Sequence, residues 1–94
     1  MKLGIMECVF RLQGCSSLKE KRKRLSGIRK LKDRQNLLFF EQSHHDTHTH
    51  SGWLFVAGAA SEKRVDQILD KLEDQLLELV DADYMEVIRG EVDL

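Results

Sequence analysis

All four histidines of the chain lie in one run, His44-His45-Asp46-Thr47-His48-Thr49-His50. On an extended strand His48 and His50 project to the same face, where two imidazoles can share a divalent metal, and His44 and Asp46 stand nearby in sequence as further ligands. A structural zinc site needs four ligands, usually with cysteine among them. Neither Cys8 nor Cys15 is placed by sequence to help, so the run reads as a polar hairpin turn with at most a loosely held metal on which folding does not depend. A nucleophile built from Cys8 or Cys15 with one of these histidines lacks a visible oxyanion loop or a third, orienting residue. Phosphate-cradling loops of the GxGxxG or GKS/T kind are absent from the sequence. Asp66, Asp70, Glu73 and Asp74 follow the outer face of a helix and read as a solvated surface. Trp53 and Phe55 share a strand, as a base-stacking pair would, but without the RNP pattern they read as core or subunit-interface rings. The chain therefore reads as non-catalytic, with no cofactor and no small-molecule substrate implied.

The second chemical feature is charge. From Lys19 to Arg34 there are nine basic residues and two acidic ones, a local charge of plus 7. Lys19, Lys21, Arg22, Lys23, Arg24, Arg29, Lys30 and Lys32 crowd one element. Read as a single helix it is about 25 Å long at about 1.5 Å per residue, long enough to touch several phosphates of an RNA. The segment from Val65 to Leu94 holds ten acids and two bases, minus 8, so the overall minus 1 conceals a bipolar molecule. The alternative reading is that this acidic half balances the basic helix, within one subunit or across a dimer, and that the protein is a structural or protein-interaction dimer without nucleic acid.

The elements that must position these residues follow from pattern. Ninety-four residues suit one small domain, 1–94, and Leu, Ile, Val and Phe are too frequent for intrinsic disorder. No apolar run approaches a membrane span, and the N-terminus is interrupted too early for a signal peptide, which implies a cytoplasmic protein with two reduced thiols. Leu3 to Leu12 alternates as a strand with apolar residues on both faces: Met6, Cys8, Phe10 and Leu12 on one, and Leu3, Ile5 and Val9 on the other.

Ser17 and Glu20, three apart, predict a capping box: Ser17 accepts from the Glu20 amide and the Glu20 carboxylate reaches back to the Ser17 amide. The helix from Ser17 carries a narrow apolar stripe of Leu18, Leu25, Ile28 and Leu31, so its core contact is thin. Gly27 in its middle costs about 1 kcal/mol against Ala and marks either a close approach to the sheet or a weak spot. Leu37–Gln42 reads as a short strand and His44–His48 as a turn. A third strand, from His48 or Ser51 to Ala60, has small residues suited to a central position. Ser61 caps a helix whose Val65, Ile68, Leu69, Leu72, Leu76 and Leu79 recur at helical spacing. Tyr84 to Val92 closes the chain as an edge strand, Met85 and Val87 alternating with Glu86 and Ile88.

The order βαββαβ predicts an α+β, ferredoxin-like sandwich: a four-stranded antiparallel sheet with the first and third strands central and two helices on one face. A helix pair leaves the other face open. The apolar residues there, with Leu3, Ile5 and Val9 as the named patch, predict a homodimer through that face.

The block Ser17-Leu18-Lys19-Glu20-Lys21-Arg22, preceded by Gly14 and followed by Asn36, Glu41, His44 and Asp46, resembles the YlxP-like family, small bacterial proteins classed as a domain of unknown function. The resemblance spans nearly the whole chain and departs from the family pattern at Arg24, at Ser43 and from Thr47 to His50. It implies a ferredoxin-like fold, a dimer and a role associated with the ribosome.

Overall fold

The computed structural model describes residues 1–93. Its elements are β1 (Lys2–Arg11), α1 (Leu18–Leu25), a 3-10 segment (Ser26–Leu31), β2 (Leu37–Ser43), β3 (His50–Ala59), α2 (Glu62–Leu79) and β4 (Asp83–Asp93). The strands form one sheet in the order β2-β3-β1-β4, every neighbour antiparallel. This is the ferredoxin-like arrangement, with the two most apolar strands in the centre.

Residues paired across antiparallel strands share a face, so the register divides the sheet cleanly. Met6 lies opposite Phe55, Cys8 opposite Trp53 and Gly4 opposite Ala57, and Phe55 is matched in turn with Phe39 of β2. This is the helix-covered face. Met6, Cys8, Phe10, Phe55 and Ala57 are buried there beneath Val65, Leu69, Leu72 and Leu76 of α2 and Ile28 and Leu31 of the 3-10 segment. On the opposite face Ile5 lies beside Val56 and Leu3 beside Gly58, while Val56 and Leu54 are matched with Leu38 and Phe40. Ile88 and Val92 of β4 flank Glu7 and Leu3 on the same side. Leu38, Phe40 and Ile88 are 72%, 54% and 51% exposed. Leu3, Ile5 and Val9 are half-buried and belong to this open face, as their alternation predicted.

Four expectations change. The basic helix is not one rod: α1 has eight residues and continues as a six-residue 3-10 segment. Gly27 lies within that segment. A Cβ built there would lie 1.8 Å from the carbonyl oxygen of Leu79, so the close approach is to the C-terminal end of α2 and not to the sheet. The capping box is shifted: Ser17 Oγ accepts from the Glu20 amide at 3.1 Å, but Glu20 Oε2 accepts from the amide and hydroxyl of Ser16 at 2.8 and 3.0 Å. These bonds, the Ser16 amide first, hold the Glu20 carboxyl below its usual range. The third strand starts at His50, so His48 lies in the turn and does not share a strand face with it. In β4 a bulge opposite Val9 and Phe10 breaks the alternation, leaving Met85 exposed and Val87 half-buried.

Gly27→Ala reverses an intuition drawn from helix propensity, which alone would credit alanine with about 1 kcal/mol of stability. The obstacle is backbone, which cannot rotate away, so the expected result is a loss of about 1–3 kcal/mol, read as a lower denaturation midpoint. A midpoint equal to or above the parent's would show that α1 and α2 separate freely at this point.

Candidate functional site

Lys21 is the residue around which the site is built. It stands three residues after Leu18, four before Leu25 and seven before Ile28, on the apolar stripe of α1, and it is only 4% exposed. Its ammonium donates to the carbonyls of His44 at 2.6 Å and Thr47 at 2.7 Å and lies 3.3 Å from Glu41 Oε2. Two of the three ammonium protons have carbonyl acceptors, and the Glu41 carboxylate adds an ion pair. The two carbonyls belong to the turn after β2. His44 adopts a left-handed backbone with φ of 61°, and its carbonyl also accepts from the Thr47 amide at 3.2 Å. Lys21 therefore ties the turn to α1.

The network continues into the sheet. Glu41 Oε2 also accepts a 2.5 Å hydrogen bond from the fully buried Ser51 hydroxyl, whose oxygen accepts from Trp53 Nε1 at 2.7 Å. The Trp53 ring is thus oriented by a chain of polar contacts that begins at Lys21. Phe39 lies beside it, ring centroids 6.4 Å apart and tilted by 41°.

Because α2 covers β1 and β3 while α1 touches the sheet only thinly, a cleft of about 440 Å³ remains between α1 and the β2–β3 half of the sheet. Leu18, Leu25, Ile28, Phe39 and Trp53 give it an apolar lining. Arg22 and Arg29 come from the helical side, and Glu41, His45 and Asp46 from the sheet and turn. His45 Nε2 donates to the Glu41 carbonyl at 3.1 Å, which holds that ring at the turn.

The eight basic residues predicted to contact nucleic acid separate into two groups. Lys21 is buried as described. Arg24 donates to the carbonyls of Asp81 at 2.8 Å and Gln13 at 2.8 Å and lies 3.3 Å from the Asp81 carboxylate, so it joins α1 to the end of α2. These two are structural ties and not phosphate contacts. Lys19, Arg22, Lys23, Arg29, Lys30 and Lys32 are exposed.

The histidine run is dispersed. The rings of His44 and His50 are 5.7 Å apart, and His50 Nδ1 shares a 2.9 Å hydrogen bond with Thr49 Oγ1. Among the described residues, His44, Asp46, His48 and His50 do not bring three ligand atoms together. The acidic trio Glu62, Asp66 and Glu91 does, on the exposed surface.

Cys8 is 1% exposed, and burial, with Glu73 adding to it against Arg89, pushes its thiol up to about 12. It is no nucleophile at neutral pH. Both cysteines are free and buried. Phe55 is a core ring, and Trp53 lies on the helix-covered face, so neither belongs to the open face where a subunit interface was one expectation.

The model of one family matches residues 3–89, described as a protein of unknown function, DUF503. The chain belongs to the DUF503 family. That match replaces the YlxP-like resemblance, and the ribosomal association that rested on that resemblance loses this support. No curated protein matches the DUF503 chain. Among solved structures it is similar to At3g17210 from Arabidopsis thaliana, at 10% identity and TM-score 0.51, covering 98% of this chain and 94% of that one. It is also similar to a mutant of SnoaB, a cofactor-independent oxygenase from Streptomyces nogalater, at 9% identity and TM-score 0.51, covering 99% and 92%. At such identities the likeness is one of fold alone.

The residue that sequence reasoning missed is Glu41 as the acid partner of Lys21. The signal was available: a lysine at 21 interrupts the stripe of Leu18, Leu25 and Ile28, and a lysine on an apolar stripe needs an acceptor inside. What lay beyond the sequence was which of the chain's sixteen acids supplied it.

Proposed function

We propose that this DUF503 protein is a non-catalytic, homodimeric, RNA-binding module of the cytoplasm. A second copy closes the open sheet face, and the exposed bases of α1 and the 3-10 segment hold RNA phosphates. The observation that carries the RNA reading is that Lys19, Arg22, Lys23, Arg29, Lys30 and Lys32 are exposed, and none makes an ion pair among the described residues. The acidic half does not neutralise them by direct pairing. Asp70 and Glu73 pair with Arg89, Asp93 with Lys2, and Asp81 with Arg24. Glu78 and Asp81 only border the shallow depression that Lys23 and Lys30 share. Unpaired cations clustered on one helical stretch release counterions from a phosphate chain, which drives association with little sequence preference. Two free thiols fit a reducing compartment.

The test is retention of ribosomal RNA on a filter across a salt series, comparing the parent with Lys19→Glu, Lys23→Glu and Lys30→Glu combined. All three residues are exposed and lie outside the Lys21 network and the cleft. Affinity of the parent should fall steeply with salt, and the variant should lose about three units of the logarithmic salt slope. Equal binding by both, or no retention at low salt, defeats the RNA reading. The second reading, a dimer without nucleic acid, would then stand, because the open apolar face favours it independently.

A further inference from the structure

We infer that the cleft between α1 and the β2–β3 edge receives one unstacked nucleobase of single-stranded RNA, its phosphate held by Arg22 and Arg29; the inference rests on the RNA reading and adds a base site to it. Four observations converge.

The cleft, about 440 Å³, falls within the range of about 300–1,000 Å³ typical of small-ligand sites. Its walls are two half-buried aromatic rings on one side and Leu18, Leu25 and Ile28 on the other, a slot suited to a flat apolar body. The Trp53 ring is fixed in advance by its bond to Ser51, so stacking on it orders little that was free. Charge is arranged by side. Arg22 and Arg29, on the helical side, are exposed and unpaired among the described residues, whereas the sheet and turn side presents Asp46 and Glu41, the latter paired through Oε2 with Lys21.

A nucleotide fits this polarity in one orientation. Its phosphate faces the guanidiniums, which bind phosphate in forked geometry, and its base lies on Trp53 with Phe39 beside it. The edge of the base then faces Glu41 and Asp46. Glu41 Oε2 is occupied by Lys21 and Ser51, and Oε1 makes no protein hydrogen bond among the described residues. A carboxylate accepts and does not donate, so it favours a base edge rich in N–H groups. Guanine, with N1–H and the 2-amino group side by side, satisfies it; uracil offers one N–H between two carbonyls and does not. The site therefore prefers guanine to uracil, although the surrounding phosphate contacts remain indifferent to sequence.

Trp53 is the single tryptophan of the chain and reports directly on occupancy. Titration of the protein with guanosine monophosphate should quench its fluorescence saturably, with free tryptophan amide as control. Uridine monophosphate should bind about tenfold more weakly, and Arg22→Gln with Arg29→Gln should weaken guanosine monophosphate at least tenfold at unchanged melting temperature. A second arm compares a short guanine-containing RNA with an abasic ribose-phosphate oligomer of the same length. A stacked base is worth about tenfold or more, so the base-bearing oligomer should bind correspondingly tighter. If both oligomers bind equally and neither mononucleotide quenches at millimolar concentration, the base site is overturned while phosphate binding survives. If neither oligomer binds but guanosine monophosphate quenches with the stated preference, the cleft is a free-nucleotide site, and its assignment to RNA falls together with the RNA reading. Equal quenching by the two mononucleotides overturns the carboxylate-facing orientation.

Discussion

Replacing Lys21 by methionine should lower the unfolding free energy by about 3 kcal/mol, because it removes one partner of a buried ion pair and leaves the other behind. Methionine matches the length and helix propensity of lysine, so α1 itself is not penalised. What is lost is the ammonium positioned to meet Glu41 Oε2 and the carbonyls of His44 and Thr47. The figure sits at the low end of the range for buried pairs because the Glu41 side chain is 25% exposed and can recover some hydration. For a domain of this size that loss corresponds to a fall in melting temperature of roughly 10–20 °C.

Glu41→Gln should cost less than Lys21→Met, since a glutamine can still accept from Ser51. The double variant should cost less than the sum of the two, as expected for groups in one network. Hydrogen exchange supplies a local reading: the Thr47 amide, bonded to His44, should lose protection in Lys21→Met. A melting temperature within about 3 °C of the parent would mean that the turn holds itself and that Lys21 contributes nothing net.

Val56→Asp should abolish the proposed dimer without unfolding the subunit. Val56 sits between Leu38 on β2 and Ile5 on β1, in the middle of the open face. That face measures roughly 20 Å across four strands by 33 Å along ten residues, given about 4.8 Å between strands and about 3.3 Å per residue. Its projection is on the order of 600 Å², enlarged further by side-chain relief, against about 800 Å² per partner in a standard stable interface. A two-fold contact would bring the same patch to itself, apolar in the centre with Arg11, His50 and Glu86 at one end as a polar rim.

Glu7 is the carboxylate within the patch, between Leu54 and Ile88, and an aspartate at 56 adds two more charges per dimer with no partner. Each unpaired buried charge costs several kcal/mol, so the dissociation constant should rise more than about a hundredfold. Light scattering should return a dimer for the parent and a monomer for the variant, with the same circular dichroism. Leu77→Asp, exposed on α2 away from the sheet, should leave the dimer intact. A monomeric parent at micromolar concentration, or a dimeric Val56→Asp, removes the open face from the proposal.

Much of this architecture was written in periodicity. Alternation in Leu3 to Leu12 separated Met6, Cys8 and Phe10 from Leu3, Ile5 and Val9 because a strand exposes successive side chains to opposite faces whatever it packs on. The spacing of Val65, Leu69, Leu72 and Leu76 declared α2 for the corresponding reason in a helix. The excess of bases from Lys19 to Arg34 was likewise plain, since charge is a property of composition.

What the residues alone did not determine is where charges come to rest. Lys21 and Arg22 are neighbours of the same sign, yet one is buried against two carbonyls and Glu41 and the other lies exposed at the rim of the cleft. That difference arises from the rotation of α1 over a sheet edge twenty residues further along the chain, a long-range relation invisible to local pattern. The close approach at Gly27 has the same origin, for the group it admits is a carbonyl of Leu79, fifty-two residues away. The histidine run shows the converse. Its spacing suggested shared ligands only if it were one extended strand, and the left-handed turn at His44, fastened by Lys21, bends the chain before β3 begins at His50.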